Sequence, residues 1–203
     1  MSADTVNPIP LYASSLRLTA VPTAVGCSRM FVRHTLKLWQ LEDHAETATL
    51  IMSELVTNAV KASGITEPEP KSWQITAEHV IGIQLRAIEA SLYVEVWDRT
   101  DAAPVGKNPD LETEGGRGLL LVEQLAKRWD VYRPRVGGKV VWAELSLGLP
   151  LELRPFEHTP LLLPSGIRAP QGPVEGQART ALLDVLLKTT TEAMVAVHVI
   201  RET

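Results

Sequence analysis

"SELVTNAV", Ser53 to Val60, sets a glutamate and an asparagine four residues apart inside an apolar run, with Lys61 directly after it. At about 100° per residue of helix, Glu54, Asn58 and Lys61 fall within about 60° of one another. Ala48, Ile51, Leu55, Ala59 and Ala62 form a stripe beside them. The polar trio therefore borders the buried face, where a carboxylate is costly unless it has a partner. An ordinary amphipathic boundary with an i,i+4 hydrogen bond accounts for this pattern, and so does a polar site at the edge of a core. The flanking sequence has to separate the two.

Upstream, Pro22 suits the opening of a helix because its missing N–H would be unpaired there. "TAVGCSRMFVRHTLKLWQL" then spaces Val25, Met30, Val32, Leu36 and Leu38 close to the helical period. Asp43 is a cap or first-turn acid for the helix that carries the trio, and Gly64 is its stop. Downstream, "ITEPEPKSW" reads as a loop. In "HVIGIQLRAI", Ile81, Ile83, Leu85 and Ala87 alternate with other residues. "LYVEVWD" puts Leu92, Val94 and Val96 on one face and Tyr93, Glu95 and Trp97 on the other. With a short turn at Glu89 to Ser91, these two runs predict an antiparallel hairpin. After a loop with Pro104 and Pro109, "TEGGRG" precedes "LLLVEQLAKRW", a predicted helix with Leu119, Val122, Ala126 and Trp129 on one stripe. "DVYR", a Gly137-Gly138 turn and "KVVWAELSL" supply two further strands.

This order predicts an α+β fold, a two-layer α/β sandwich with helices on one face of a mixed, mostly antiparallel sheet. Residues 1–21 are expected to be a lead-in with a short first strand at "SSLRLTAV", and residues 22–148 the domain itself. Residues 149–176 are rich in proline and lack periodicity, so they read as a linker. Residues 177–203 form an extension, in which "QARTALLDVLLKTT" clusters Ala181, Leu182, Val185 and Leu186 as one short amphipathic helix.

Composition narrows the function. A chain of 203 residues, 45% hydrophobic and 22% charged, is globular in character. A formal charge of -4 argues against a broad basic surface, so no direct nucleic-acid partner is expected. Cys27 is the single cysteine, which excludes an internal disulfide and reads as a small buried hydrophobe in a reducing compartment. With neither a secretory pattern nor a run of about 20 apolar residues, a cytoplasmic protein without membrane contact is expected. His34, His44, His79, His158 and His198 share no metal-ligand spacing. The five tryptophans are scattered and read as packing residues.

Two more polar features accompany the trio. Asp98 continues the inward face of Leu92, Val94 and Val96, and so ends a strand with a carboxylate aimed at the apolar side. Such an acid is commonly a cap, and it can equally accept a hydrogen bond from a ligand at a pocket mouth. In "EGGRGLLLV", Gly115, Gly116 and Gly118 converge with a helix N-terminus, an arrangement that suits phosphate. Taken alone, a glycine cluster is more often a flexible loop, and its spacing here is neither that of a P-loop nor a Rossmann fingerprint.

In order, "SELVTNAV", "VEVWD" and "EGGRGLLLVEQLAKRWDVYRPRVGGKVVWAEL" resemble the N, G1 and G2 boxes of the GHKL ATPase superfamily, that of gyrase, Hsp90, histidine kinases and MutL. The resemblance covers roughly residues 15–148 and is nearest to anti-sigma-factor serine kinases and related actinobacterial ATP-binding regulators. It implies the Bergerat-type ATP-binding fold. It also implies that Asn58 holds Mg²⁺, that Glu54 orients or deprotonates an attacking hydroxyl, and that Asp98 accepts from the adenine amino group. Gly115, Gly116, Arg117 and Gly118 would form a phosphate-covering lid, with Leu119 beginning the helix behind it; Lys61 could reach a phosphate. The implied cofactors are ATP and Mg²⁺. The implied partners are a sigma factor and a small antagonist protein phosphorylated on serine or threonine, with homodimerisation as in related anti-sigma factors. The alternatives are a nucleotide-responsive partner-binding module with little or no kinase activity, and a scaffold with a degenerate pocket. Three departures bear on this choice: Thr100 where a glycine is frequent, Lys139-Val140 after the Gly-Gly turn where a threonine is common, and Ala62 where close relatives often carry histidine.

Overall fold

The alternating runs fold as strands and the 3.6-period runs as helices. The computed structural model describes residues 9–102, 114–134, 137–149, 151 and 161–163. In chain order come β1 (Ile9–Thr19), α1 (Thr23–Leu38), a 3-10 turn (Glu42–His44), α2 (Ala45–Ser63), a second 3-10 turn (Ser72–Gln74), β2 (Val80–Ile88) and β3 (Ser91–Asp98). Then follow α3 (Glu114–Leu125), β4 (Arg128–Tyr132), β5 (Lys139–Ser146) and β6 (Leu161–Leu163).

One sheet runs in the order β4-β5-β3-β2-β1-β6. Every pairing among the described strands is antiparallel, where a mixed sheet was expected. The α+β two-layer sandwich itself is present: α2 packs on β2, β3 and β5, with α1 and α3 on either side of it. Ile81, Ile83, Leu85 and Ala87 of β2 and Leu92, Val94 and Val96 of β3 face the helices, and all are at most 1% exposed. They meet Ala48, Ile51, Met52, Leu55, Val56 and Ala59 of α2 in one continuous cluster. Burying each large aliphatic side chain contributes about 1.5–3 kcal/mol, so the alternation fixes which sheet face the helices occupy.

Several local expectations are corrected. β1 begins at Ile9, well before the predicted short strand, because it pairs with β2 from Leu11↔Ile88 to Thr19↔Val80 and with β6 over Ile9–Leu11. On α1, Val32 and Leu36 are buried, but Met30 is 72% exposed and Leu38 is 42% exposed; the inward stripe is narrower than the run of apolar residues. Cys27 is exposed, not buried, since it lies on the outer side of α1. Trp73 is 74% exposed, unlike Trp97 and Trp142, which are buried. Trp129 belongs to β4, not to the helix before it, because α3 ends at Leu125. β6 lies inside the segment read as a linker and pairs with β1 at Ile9–Leu11. The predicted helix in residues 177–203 lies outside the described residues.

The sheet's second face is polar by sequence. Across the strands run Ser15, Gln84, Glu95, Trp142 and Asp130 in one row, and Ala13, Arg86, Tyr93, Glu144 and Arg128 in the next. Ser15 Oγ donates to Gln84 Oε1 at 2.8 Å, and Gln84 Nε2 to Glu95 Oε2 at 2.7 Å. Arg86 grips Glu95 through Nε and Nη2, at 3.1 and 2.9 Å. Glu144 accepts from Ser91 Oγ, Lys127 Nζ and Arg128 Nε. The Arg86 guanidinium lies 4.7 Å from the Tyr93 ring centre, and that of Arg128 lies 5.3 Å from that of Trp142. Burial pushes the Glu144 carboxyl up, but its bonds from Arg128, Ser91 and Lys127 outweigh that and hold it below the ordinary carboxylate range.

Candidate functional site

The polar edge of α2 faces α3. Glu54 and Asn58 are half-buried on α2, and Lys61, one turn on, is exposed. α2 and α3 pack against each other, and Gly118 of α3 lies directly on Glu54. A Cβ at position 118 would sit 2.3 Å from Glu54 Oε2, so a side chain there displaces the carboxylate. Chain positions 54 and 118 are thus brought into contact, and only a glycine at 118 allows it without a shift.

Gly115, Gly116, Arg117 and Gly118 are not a loop ahead of the helix. α3 starts at Glu114, so these residues occupy its first turn and a half. The first four N–H groups of an α-helix have no partner within the helix, and here they belong to Glu114 and the residues through Arg117. Glycines at two of these positions bring no side chain of their own beside those N–H groups. Leu119 does not begin the helix; its side chain is 2% exposed and belongs to the core cluster with Val122.

Asn58 Nδ2 is closed off from solvent and has no hydrogen-bond partner among the described residues. An enclosed, unbonded carboxamide donor costs about 1–3 kcal/mol, which a polar ligand at this position would relieve. The donor set also fits Mg²⁺: this ion prefers oxygen ligands, takes few from protein and completes its shell with phosphate and water. Asn58 supplies a carboxamide oxygen, with the Glu54 carboxylate one helical turn away. Among the described residues there is no cluster of three or more histidine, cysteine, aspartate or glutamate side chains able to hold a metal.

Asp98 ends β3 on the helix-facing side, 2% exposed. Its neighbour across the sheet is Lys139, the first residue of β5. Lys139 Nζ donates to Asp98 Oδ1 at 2.8 Å, and both side chains are 3% exposed. Thr100 donates to the same oxygen from its backbone N–H at 2.9 Å and from Oγ1 at 2.8 Å. Lys139 also reaches Thr100 Oγ1 at 2.5 Å and its carbonyl oxygen at 3.3 Å. The three bonds that reach the Asp98 carboxylate all end on Oδ1, and Oδ2 receives none of them.

Thr100 and Lys139, which belong to two of the three departures seen in the sequence, therefore act together on one carboxylate. The turn that delivers Lys139 is held in turn: Trp97 Nε1 donates to the Gly137 carbonyl at 2.9 Å. Gly138 has φ of +72°, and a Cβ there would lie 2.2 Å from the Asp98 carbonyl oxygen. Along the chain, Lys139-Val140 stands out only as a pair without the threonine common after the Gly-Gly turn. Its role was accessible from the β3–β5 pairing, which sets the last residue of one strand opposite the first of the other.

No helix among the described residues is long and apolar enough to cross a membrane. The family model of the histidine kinase-like ATPase domain matches residues 18–145. No curated protein matches the chain.

Proposed function

We infer, from the premise that this chain belongs to the histidine kinase-like ATPase domain family, whose model matches more than half of its length, that it is an ATP-binding regulatory protein. ATP and Mg²⁺ bind between the polar edge of α2, the N-terminus of α3 and the Asp98 end of β3. The observation that supports this reading is the contact of Gly118 with Glu54, which sets the start of α3 beside the Glu54–Asn58 edge of the central helix.

Asn58 holds Mg²⁺, which when bound neutralises phosphate charge. The free N–H groups at the start of α3 and the Arg117 side chain stabilise negative charge on the phosphates, and Lys61 adds a cation from the solvent side. Asp98, oriented by Thr100 and Lys139, presents Oδ2 as acceptor for the adenine amino group. Glu54 takes the proton from an attacking hydroxyl, the main task left to a side chain where phosphoryl transfer is chiefly positioning and charge stabilisation. In the finer form of this proposal the hydroxyl is a serine or threonine of a small antagonist protein, and the chain sequesters a sigma factor as a dimer in the cytoplasm.

A second reading rests on Lys139. With Asp98 Oδ1 saturated inside the chain, base recognition has one carboxylate oxygen left, which favours a nucleotide-responsive partner-binding module with little or no kinase activity. Thermal unfolding with ATP, with and without Mg²⁺, separates binding from its absence. At a hundred times Kd the expected stabilisation is about 2.7 kcal/mol. That corresponds to about 5–10 °C in a domain of this size. Asn58→Ala removes the Mg²⁺-dependent part. Glu54→Gln spares the shift and abolishes transfer to an antagonist. Binding without transfer leaves the second reading, and no shift in the unaltered protein refutes both.

A further inference from the structure

Helix α1 carries a charge pattern that its own fold does not use. It holds Arg29, Arg33 and Lys37 and no acid, in a chain where 24 aspartates and glutamates outnumber 20 lysines and arginines. The three cations are exposed and four residues apart, at intervals of about 6 Å along one side of the helix. Like charges at this spacing weaken a helix. Lys37 is offset by the C-terminal end of the helix dipole, but Arg29 and Arg33 lie in the middle turns, beyond its reach. The nearest acids along the chain, Glu42, Asp43 and Glu46, come after α1 has ended. Among the described residues, no ion pair joins an acid to Arg29, Arg33 or Lys37.

Arg29 is held in a pose that suits an anionic partner. Its Nε donates to Ser53 Oγ of α2 at 2.9 Å, and that hydroxyl donates to the Thr49 carbonyl at 2.7 Å. The bond fixes the guanidinium at the seam of α1 and α2 and leaves its Nη groups without a hydrogen-bond partner among the described residues. Such a fork fits a carboxylate with two parallel bonds. Apolar residues accompany the cations: Met30 is 72% exposed and Leu38 42% on α1, and Leu50 of α2, one turn before Ser53, is 45% exposed.

We propose that the outer face of α1 docks an acidic amphipathic helix of a partner protein, one with carboxylates four residues apart beside aliphatic side chains. A partner helix repeats its side chains at the same interval, so its carboxylates meet Arg29, Arg33 and Lys37 in register. Met30, Leu38 and Leu50 then cover its aliphatic row. A lipid surface fits less well, because α1 turns Val32 and Leu36 to the core and leaves Met30 and Leu38 as its large exposed apolar residues. α1 flanks α2 on the side away from α3, so a docked helix leaves the proposed nucleotide site open, and none of that site's residues takes part.

The test uses the full chain and a fluorescein-labelled synthetic helix of alanines and glutamines carrying three glutamates four apart, each followed by a leucine. A second peptide has glutamine for each glutamate. Fluorescence anisotropy at low salt is expected to show the glutamate peptide binding about tenfold more tightly than the glutamine peptide, with the difference shrinking as salt rises. Arg33→Glu combined with Lys37→Glu abolishes that preference, and a peptide with lysine for each glutamate restores binding to this variant. Arg29→Gln, which introduces no opposite charge, reduces the preference on its own. In isotope-labelled protein, the amide shifts caused by the glutamate peptide fall on residues 29–38. Equal binding of the two peptides, binding by neither, a preference that survives the charge reversal, or shifts confined to other elements each overturn the proposal. Tighter charge-dependent binding to phosphatidylserine vesicles than to the glutamate peptide overturns it in favour of a membrane contact. Self-association of the protein alone that the charge reversal abolishes overturns it in favour of a second copy.

Discussion

Replacing Lys139 with methionine tests how Asp98 is held. The methionine keeps most of the volume and the apolar stem and removes the ammonium. In the native arrangement that ammonium lies 2.8 Å from Asp98 Oδ1, with both side chains 3% exposed. Removing one partner of a buried pair strands the other charge, at a cost of about 3–5 kcal/mol. Thr100 supplies two remaining donors to the same oxygen, which sets the expectation toward the lower end of that range. At about 2–4 °C per kcal/mol, the melting temperature falls by about 6–12 °C. The partner change Asp98→Asn, alone and combined with Lys139→Met, completes a double-mutant cycle. The double variant is expected to be more stable than the sum of the singles by at least about 1.5 kcal/mol, since it removes both charges. Denaturant unfolding gives all four free energies. A cost below about 1 kcal/mol for Lys139→Met, with additive singles, would refute the buried pair and leave Thr100 as the holder of Oδ1.

Two glycines separate function from stability. Gly118→Ala meets only the flexible end of Glu54 and gains helix propensity of up to about 1 kcal/mol, so melting is expected to hold or rise while ATP-dependent stabilisation shrinks. Gly138→Ala meets a backbone carbonyl at φ of +72° and is expected to cost at least about 1–3 kcal/mol, read by denaturant midpoint. Acid sensitivity follows from Glu144: its folded pKa lies below the ordinary 4.5, so its contribution is complete above that value and fades as pH falls through the lower folded value. Melting temperature measured from pH 6 downward is expected to drop in that range, and Glu144→Gln flattens part of the drop. Arg17 has Nε and Nη1 enclosed without partners among the described residues, and burial followed by the nearby Arg99 charge lowers its pKa. Arg17→Met is expected to be neutral or stabilising by up to about 1 kcal/mol; a clear loss in chemical denaturation would show that the guanidinium has a binding role.

The fold was readable wherever one period dominated. α2 and the β2–β3 hairpin each carry a clean apolar pattern, so the inward placement of Asp98 followed from parity along β3 alone. The start of α3 was not readable. Three glycines in four residues lower helix propensity enough that a local reading places the helix after them, whereas α3 begins at Glu114 and lays Gly118 against Glu54. The signal for that is a contact across 64 positions, and no window of sequence contains it. Cys27 misled for the opposite reason, since residue-type averages say nothing about which side of α1 it occupies. The pairing on the second face was not readable either, because only strand register shows that Gln84, Arg86 and Glu95 can satisfy one another.

Register also changes what the Asp98 carboxylate can do. Read along the chain, Asp98 is an acceptor awaiting a ligand, and Lys139 belongs to a Lys-Val pair that lacks a threonine. Read across the sheet, the pairing Asp98↔Lys139 makes them one unit, tied to Thr100 and to a turn that Trp97 clamps through the Gly137 carbonyl. A carboxylate fixed this way has little freedom left to lose on binding, which favours recognition, and has given up half its acceptor capacity, which opposes it. Lys139→Thr sets these two effects against each other. If capacity limits binding, the variant binds ATP more tightly despite its lower stability. If fixation limits it, both fall together. Calorimetric titration of the two proteins with ATP–Mg²⁺ at a temperature where each is folded distinguishes the outcomes, because stability then no longer enters the measured affinity.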